Sequence, residues 1–356
     1  MRYPEFLYED KTIGFVAPSF GCATEPYISC FKSACKEFEM LSYKLDLGPN
    51  VYEAKGIGIS NTPQACAKEL TDMYISEHND GLISCGGGEL MCEILPYVDF
   101  ERIKNAKPKW YLGYSDNTNF TFLHTILNAV ATIYGSNVGA FGIKPWHKSV
   151  QDLYRVLYGA GVETSDGIKT FQVEGYKRWE KESLRCEENP LAPINDTEES
   201  VIQCFIGDKP CDSKIGAKFT GRLIGGCMDC LVNLTGTKFD KVGEFLERYK
   251  DDGFIWFLES CDLNVFSIRR AMWQMDNAGW FRYAKGFIIG RPLVMGQNIM
   301  GLNQYDAVTG IIGKYHVPVV MDIDIGHIAP SIPIICGSMG TVCVKDEKYS
   351  VTMQLC

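Results

Sequence analysis

The stretch Tyr111-Leu-Gly-Tyr-Ser-Asp-Asn-Thr118 passes from apolar residues through a polar turn into a helical pattern. The apolar and aromatic residues before Gly113 are typical of a buried strand. After the turn, one face of a helix is indicated by apolar residues three and four positions apart, namely Phe120, Leu123, Ile126 and Leu127. The stretch therefore predicts a strand, a tight turn that holds Ser115, and a helix that starts near Asn117.

The same alternation of strand and helix runs through the first half of the chain. Thr12-Ile-Gly-Phe-Val-Ala17 predicts a strand that ends at Pro18, and a helical pattern follows it. A second helix is predicted near residues 62–78, followed by a strand at Gly81-Leu-Ile-Ser84 and a glycine-rich turn into a further helix. This alternation predicts a parallel sheet covered on both faces, with a ligand site at the C-terminal ends of its strands.

The second half of the chain begins differently. Charged and turn-forming residues from about 173 to 199 predict a linker or a surface insertion. Beyond them, strand signals return at 217–224, 254–258, 286–289 and 317–321, and helical patterns occur at 265–275 and 305–312. This half therefore predicts a mixed α/β domain with its own core.

Composition and charge narrow the class of partner. The 356 residues are 46% hydrophobic and carry 35 Lys+Arg against 44 Asp+Glu, a net charge of -9 that disfavours nucleic acid as a partner. No apolar run approaches the roughly 18 to 20 residues that span a bilayer, and residues 1–11 lack a signal-peptide pattern. We expect an intracellular, cytoplasmic protein that binds no membrane.

Fifteen cysteines are scattered along the chain without the pattern of a disulfide framework. Most are expected to be reduced, buried small hydrophobes. The motif Cys227-Met-Asp-Cys230 could form a redox pair or half of a zinc site, but no second CxxC accompanies it. The sequence predicts no metal site.

Ser115 is the first candidate for catalysis. A serine on a strand-to-helix turn projects its hydroxyl above the sheet, beside helix N-terminal amides that can bind an oxyanion. Asn117 stands where the full G-x-S-x-G pattern has its second glycine. The alternative is a structural turn in which Ser115 or Asp116 caps the helix.

The second candidate is the glycine turn Ser84-Cys-Gly-Gly-Gly-Glu89. Three glycines allow backbone N–H groups to approach a ligand closely, as an oxyanion hole or a phosphate cradle requires. It is not a Walker motif, since no Gly-Lys-Ser/Thr follows. The alternative is a plain flexible turn.

An acyl-transfer serine needs a base, and the chain has five histidines: His78, His124, His147, His316 and His327. His327 stands out because it follows an apolar strand and a glycine, at a place where general bases are commonly presented. Glu259 ends the aromatic strand Phe254-Ile-Trp-Phe-Leu-Glu259 and is the candidate acidic partner. A helix cap or a surface salt bridge is the alternative for Glu259.

These motifs together resemble one family, the LD-carboxypeptidase serine peptidases. The resemblance rests on short motifs that occur in the family's order over nearly the whole chain: Ala17-Pro18-Ser19, Gly86-Gly87-Gly88, Leu95-Pro-Tyr-Val-Asp99, Gly113-Tyr-Ser-Asp116, Leu223-Ile-Gly-Gly226, Leu234-Thr-Gly-Thr237, Leu258-Glu259 and Gly326-His327. Cys227 departs from the asparagine that often follows the glycines in Gly225-Gly226-Cys227. That departure concerns substrate contacts and leaves Ser115, Glu259 and His327 in place.

The resemblance implies a fold and a set of roles. It implies a Rossmann-like N-terminal domain at 1–170 with the nucleophile Ser115, a linker or insertion at 171–212, and a C-terminal domain at 213–356 with Glu259 and His327. The active site would lie in the cleft between the domains. Backbone N–H groups of Gly87 and Asp116 would form the oxyanion hole, and no metal or cofactor would be needed.

Two subgroups of the family compete for the substrate. One resembles muropeptide LD-carboxypeptidases, which remove a terminal D-amino acid during murein recycling. The other resembles the microcin C immunity proteins, MccF-like, which cleave an amide that joins an aminoacyl or peptidyl group to a nucleotide-like moiety. The chain length and the insertion around Gly175-Tyr-Lys-Arg-Trp179 favour the second, because Trp179 could stack on a purine. Packing of that loop on the domain surface is the alternative.

Further expectations complete the interpretation. Gly86 and Gly88 are expected to contact the substrate together with Trp179, and the enzyme is expected to be a homodimer. A non-catalytic binding module on the same fold stays open, as does a thiol-dependent amidotransferase. The turn holds Ser115 rather than cysteine, and Cys85 only precedes the glycines, which disfavours the amidotransferase.

Overall fold

A computed structural model describes residues 1–211 and 216–356. The chain forms two compact units. The first contains residues 1–160 and 182–195, and the second contains residues 161–181 and 196–356. Within the described residues, no helix is both long enough and apolar enough to cross a membrane.

The first unit is built on a parallel sheet. Its strands are β1 (Thr12–Val16), β2 (Lys44–Leu47), β3 (Gly81–Ser84), β4 (Trp110–Gly113) and β5 (Thr132–Tyr134). They lie in the order β2-β1-β3-β4-β5, and each neighbouring pair is parallel. The predicted Rossmann-like sheet is therefore confirmed. The order changes direction at β1, and in such sheets ligands bind beyond the strand ends beside that change.

Five α-helices belong to the same unit: α1 (Tyr27–Met40), α2 (Pro63–Ile75), α3 (Phe100–Asn105), α4 (Thr118–Asn128) and α5 (Lys148–Tyr158). Helix α2 begins after Thr62, whose hydroxyl accepts a hydrogen bond from the Ala65 N–H group, and Pro63 occupies the first helical position. The helix expected after the glycine turn is a 3₁₀ helix at Met91–Tyr97 instead. It contains Pro96, which lacks an N–H group for an α-helical hydrogen bond.

The second unit holds a ten-stranded sheet. Its strands are β6 (Val162–Glu163), β7 (Lys169–Glu174), β10 (Gln203–Ile206), β11 (Lys209–Pro210), β12 (Ala217–Cys227), β13 (Phe254–Glu259), β14 (Ala284–Gly290), β17 (Pro318–Ile323), β19 (Met339–Lys345) and β20 (Lys348–Gln354). Their order is β11-β10-β17-β14-β13-β12-β19-β20-β7-β6. Strands β12, β13, β14 and β17 are mutually parallel, and the flanking pairs are antiparallel. The mixed α/β prediction for this half is confirmed.

The remaining elements of the second unit are short or lie outside that sheet. The helices are α6 (Met228–Leu234), α7 (Val242–Arg248), α8 (Val265–Asn277) and α9 (Gln304–Ile312). Two small antiparallel pairs join β8 (Arg178–Glu180) to β9 (Asp196–Glu199) and β15 (Asn298–Ile299) to β16 (Leu302–Asn303). A last strand, β18, spans Ile334–Cys336.

Of the region expected as a linker or insertion, the structure describes residues 171–211, and these are divided between the two units. Strand β7 pairs with β20, and β10 pairs with β17, so both belong to the second sheet. Residues 182–195 belong to the first unit, whereas the chain enters the second unit already at Gly161. The limit expected between residues 212 and 213 lies outside the described residues.

Candidate active site

Ser115 occupies a strained turn directly after β4. Its φ angle is 62°, in the left-handed region that side chains other than glycine rarely adopt. A short 3₁₀ helix at Ser115–Asn117 leads into α4, and the Ser115 N–H group donates a hydrogen bond to the Tyr134 hydroxyl at 3.2 Å. Such strain persists where neighbouring groups hold the backbone in place, and it is typical of a nucleophile on a strand-to-helix turn.

Asn117 connects the serine turn to the glycine turn. Its Nδ2 group donates a hydrogen bond to the Gly86 carbonyl at 2.8 Å, and its Oδ1 atom accepts one from the Tyr111 hydroxyl at 2.5 Å. A Cβ atom on Gly113 would lie 2.9 Å from the Cβ atom of Asn117. Close packing against Asn117 therefore requires a glycine at position 113. The Asn117 side-chain amide also links the serine turn to the glycine turn, which a glycine at position 117 could not do.

Asp116 is buried and binds three neighbouring segments. Its Oδ2 atom accepts hydrogen bonds from the Ser19 hydroxyl at 2.6 Å and from the Met91 N–H group at 2.9 Å. Its Oδ1 atom accepts one from Asn119 Nδ2 at 3.0 Å. The carboxylate thus holds the ends of β1 and of the glycine turn against α4. The Asp116 side chain is structural, and only its backbone N–H group remains a candidate for the oxyanion hole.

The glycine turn runs directly beside the serine. A Cβ atom on Gly87 would lie 3.1 Å from both Cβ and Oγ of Ser115, so only a glycine brings its backbone this close without a displacement. The Gly87 carbonyl accepts a hydrogen bond from the Phe20 N–H group at 2.8 Å. Among the described residues the Gly87 N–H group donates to no partner. A Cβ atom on Gly88 would collide with Oγ of Ser19.

Two residues near the serine were not singled out from the sequence. Tyr134 ends β5 and accepts the hydrogen bond from Ser115, and Asn137 Oδ1 accepts hydrogen bonds from the Tyr114 N–H group and from Asn117 Nδ2, both at 3.4 Å. Both lie at the C-terminal end of the strand next to β4. The rule that places ligand sites at these strand ends could have identified them.

In the second unit, Glu259 and His327 form a hydrogen-bonded pair. The Nδ1 atom of His327 lies 2.8 Å from Oε2 of Glu259. Glu259 is the last residue of β13 and is fully buried, whereas 14% of the His327 side chain is exposed. The alternative roles for Glu259, a helix cap or a surface salt bridge, do not fit this burial.

Small residues make room for the pair. Gly326 has a φ angle of 103°, and a Cβ atom there would lie 2.5 Å from Oε2 of Glu259. A Cβ atom on Gly290 would lie 3.0 Å from the Cβ atom of Glu259. The glycine before His327 is therefore required twice, by its backbone conformation and by the close approach of the carboxylate.

The other histidines have different environments. His124 is fully buried and engages both ring nitrogens, with the Tyr74 hydroxyl at 2.8 Å and with Asn128 Nδ2 at 3.0 Å. Burial lowers the pKa of His124 to about 3, so its imidazole is neutral. His147 caps α5 by accepting a hydrogen bond from the Ser149 N–H group. His78 is exposed.

The Cys227–Cys230 motif lies at the junction of β12 and α6. Cys227 is paired with Glu259 in the register of β12 and β13, and its Sγ atom donates to Oδ2 of Asp229 at 3.3 Å. A hydrogen bond with Cys230, burial and the Glu259 carboxylate raise the pKa of Cys227 well above its ordinary value. A thiol in this state is a poor nucleophile and metal ligand.

No group of three or more His, Cys, Asp or Glu side chains in residues 1–211 and 216–356 is arranged to hold a metal ion.

Trp179 lies in β8, in the hairpin with β9. Its indole Nε1 donates a hydrogen bond to the Glu199 carbonyl at 3.2 Å, and the guanidinium carbon of Arg291 lies 5.5 Å from the ring centroid. The ring is partly buried. One role of Trp179 is therefore packing against a cation.

The candidate residues thus form two sets. Ser115, Asp116 and the three glycines belong to the first unit, and Glu259, His327 and Trp179 belong to the second. Serine hydrolases use residues of these types, with the serine on a strand-to-helix turn and a carboxylate bonded to the histidine.

Comparison with known families identifies this class more closely. The family model of the LD-carboxypeptidase N-terminal domain matches residues 13–135, and that of the LD-carboxypeptidase C-terminal domain matches residues 220–342. Together they cover more than half of the chain, which belongs to the LD-carboxypeptidase family. The protein is an enzyme of the serine-type hydrolases in this family, and the resemblance predicted from the motifs is confirmed.

Individual relatives extend over the whole chain. A Vibrio cholerae serotype O1 protein named as a candidate carboxypeptidase is 22% identical over 99% of this chain and 98% of its own. The MccF-like protein of Bacillus anthracis is 19% identical, with a TM-score of 0.78 and 99% of each chain covered. The microcin C7 self-immunity protein MccF, solved in complex with aspartyl sulfamoyl adenosine, is 20% identical, with a TM-score of 0.79 and coverage of 99% and 98%. The two solved structures share the fold of this chain.

Proposed function

We propose that this enzyme hydrolyses an amide bond through a triad of Ser115, Glu259 and His327. The Glu259–His327 hydrogen bond carries the proposal. A carboxylate bonded at Nδ1 keeps the proton on that nitrogen, so the other ring nitrogen, Nε2, is free to accept a proton. The strained Ser115 turn and the family membership support it, since the matched regions contain all three residues.

The mechanism follows from these roles. His327 takes the Ser115 proton through Nε2 as the hydroxyl oxygen attacks the substrate carbonyl carbon, and Glu259 stabilises the imidazolium that forms. Backbone N–H groups of Gly87 and Asp116 bind the oxyanion. The imidazolium then protonates the leaving amine. Water then hydrolyses the acyl-enzyme: His327 takes a proton from the attacking water and returns one to the Ser115 oxygen.

The proposed substrate is an aminoacyl or peptidyl group joined by an amide to a nucleotide-like moiety, as in microcin C. Two observations support this choice. The fold is shared with the MccF structure that contains aspartyl sulfamoyl adenosine. The hairpin of β8 and β9 holds a partly buried indole, Trp179, whose ring could stack on a base. Gly86 and Gly88 would border the acyl group from the glycine turn.

A muropeptide LD-carboxypeptidase is the second candidate, favoured by the two LD-carboxypeptidase family models that match the chain. It would use the same three residues to release a terminal D-amino acid.

We further propose a cytoplasmic homodimer. Free thiols such as Cys66, Cys92 and Cys343 suit a reducing compartment. Light scattering of the purified protein measures the oligomeric state.

The test compares two substrates for the purified enzyme, an aminoacyl sulfamoyl adenosine and an L,D-tetrapeptide. We expect kcat/KM to be at least about tenfold higher for the nucleotide-bearing substrate. The reverse ranking would establish the muropeptide alternative. A fluorophosphonate probe serves as an independent readout, because it labels an activated serine whichever substrate is natural. Failure to hydrolyse either compound, together with no label on Ser115, would refute the serine-hydrolase mechanism in favour of a binding module.

A further inference from the structure

His327 lies in a short loop that begins at the end of β17 and closes on itself. The Ile332 N–H group donates a hydrogen bond to the Asp324 carbonyl at 2.7 Å, which joins the two ends of the loop. Inside it, the Gly326 N–H group donates to the Ser331 hydroxyl at 3.3 Å. The position of the imidazole therefore depends on how Asp324, the first residue of the loop, is held.

Asp324 is fully buried, and its carboxylate accepts three hydrogen bonds from three separate segments. Arg291 Nη2 donates to Oδ1 at 2.6 Å. The Tyr349 hydroxyl and the Tyr176 N–H group donate to Oδ2 at 2.7 and 2.8 Å. The Tyr349 hydroxyl also accepts a hydrogen bond from the Asp324 N–H group at 2.9 Å. Both the backbone and the carboxylate of Asp324 are thus fixed by one phenol.

The ion pair of Arg291 and Asp324 is almost completely shielded from solvent, with side-chain exposures of 1% and 0%. The Trp179 ring covers the guanidinium, and Arg291 Nη2 also donates to the Ser200 hydroxyl at 3.1 Å. Nε and Nη1 of Arg291 have no hydrogen-bond partner in the part of the chain that the structure describes. Separating the two groups would leave each charge unpaired in the protein interior, which costs free energy. The distance between Arg291 and Asp324 is therefore strongly constrained.

A second link reaches the loop beyond the histidine. The Glu180 N–H group donates a hydrogen bond to the Ala329 carbonyl at 2.7 Å. The segment from Tyr176 to Glu180 therefore contacts the loop on both sides of His327, through Asp324 and through Ala329.

Burial and the Asp324 carboxylate raise the pKa of Tyr349 well above its ordinary value, which keeps the phenol protonated and able to donate.

We propose that Asp324, held by Arg291 and Tyr349, is a positioning residue that keeps the His327 imidazole in hydrogen-bonding register with Glu259. The proposal rests on the proposed function for its effect on catalysis, since His327 acts there as the base. Asp324 touches no reacting atom and acts only through the loop. A shift of about 1 Å in a catalytic group costs roughly 100-fold in rate.

The test compares Asp324→Asn with the matched variant Asp322→Asn. Asp322 is a buried carboxylate in β17, two residues before Asp324, and it accepts hydrogen bonds from Gln304 Nε2 and the Tyr305 hydroxyl instead of holding the loop. We expect Asp324→Asn to lower kcat about 100-fold with KM nearly unchanged, and Asp322→Asn to leave both near the wild-type values. A second variant, Tyr349→Phe, removes only the hydroxyl and should lower kcat about tenfold if Asp324→Asn does not fold.

A proton NMR signal gives a readout that needs no substrate. The His327 Nδ1–H proton bonded to Glu259 is assigned by its loss in His327→Gln. We expect this signal to shift or broaden in Asp324→Asn and Tyr349→Phe and to persist in Asp322→Asn. An unchanged signal and an unchanged kcat in folded Asp324→Asn or Tyr349→Phe would overturn the proposal. A changed signal in an enzyme that hydrolyses neither substrate would instead refute the proposed function and leave the positioning role standing.

Discussion

The imidazole of His327 and the carboxylate of Glu259 meet at 2.8 Å, between Nδ1 and Oε2, although the two residues are 68 positions apart in the chain. Glu259 ends a parallel strand in the middle of the sheet, and His327 follows another strand of the same parallel set. Parallel strands bring their C-terminal ends to one edge, and Gly326 leaves room for the carboxylate. The pair therefore results from strand topology and a glycine together.

Replacement of Ser115 or His327 by alanine should reduce kcat by about 10⁴ to 10⁶ without unfolding the protein. Both residues serve one proton-transfer step, so the Ser115→Ala/His327→Ala double variant should be little slower than either single variant. Steady-state kinetics and circular dichroism check this. Losses that add in the double variant, or normal turnover by Ser115→Ala, would contradict the proposed triad.

Glu259→Gln should keep the fold and lower kcat by about 10⁴, because a neutral amide does not stabilise the imidazolium. Hydrolysis rates and thermal unfolding of the variant measure both effects. Asp322→Asn is the control, since it neutralises another buried carboxylate of the same unit. A comparable loss of rate in both variants would point to a general electrostatic effect rather than to Glu259.

Gly87→Ala should lower kcat by about 10² to 10³, the usual effect of disturbing one oxyanion donor. The new methyl group would lie 3.1 Å from Oγ of Ser115 and would displace the hydroxyl, the turn or both. Gly139→Ala is the matched control, because its Cβ atom would meet Cys30 at 3.3 Å, with no contact to the serine. Equal activity of the two variants would remove Gly87 from the site.

His124 should make the protein less stable in acid. Burial lowers its pKa in the folded state from 6.5 to about 3, so between these pH values the unfolded chain binds a proton that the folded chain does not. His124 therefore does not lower the free energy of unfolding above about pH 6.5, and it lowers this free energy increasingly as the pH falls from there towards 3.

The free energy of unfolding in denaturant, measured from pH 8 to pH 4, checks this. The His124→Gln variant has no imidazole to titrate at this position. Its free energy of unfolding should therefore fall less steeply with decreasing pH than that of the wild type. Parallel curves for the two proteins would show that His124 is not the group responsible.

Trp179→Ala should weaken a nucleotide-bearing substrate more than a murein tetrapeptide, by about 1 to 3 kcal/mol of lost base stacking. The ring also covers Arg291, so a component common to both substrates is expected, and only the difference between substrates reports stacking. Trp273→Ala, on an exposed indole of α8, is the control and should affect neither substrate. Equal losses on both substrates in Trp179→Ala would assign the ring to packing alone.

Local patterns predicted many of the elements and the serine turn, although the helix expected after the glycine turn is a 3₁₀ helix. The run from Tyr111 to Thr118 predicted a strand, a turn and a helix, and the structure has β4, the 3₁₀ turn and α4 there. The apolar run that ends at Glu259 predicted β13 in the same way. Hydrophobic spacing and turn residues act over a few positions, so they can be interpreted without knowledge of the fold.

The sequence by itself therefore determined the two α/β halves, the candidate catalytic residues at the ends of their strands, and the family to which the protein belongs. The tertiary structure alone decided which partners those residues have: Tyr134 and Asn137 at the serine turn, Glu259 on His327, and Arg291 and Tyr349 on Asp324. These contacts join segments from 19 to 68 positions apart. They depend on strand order and register, which no local pattern of apolar and polar residues specifies.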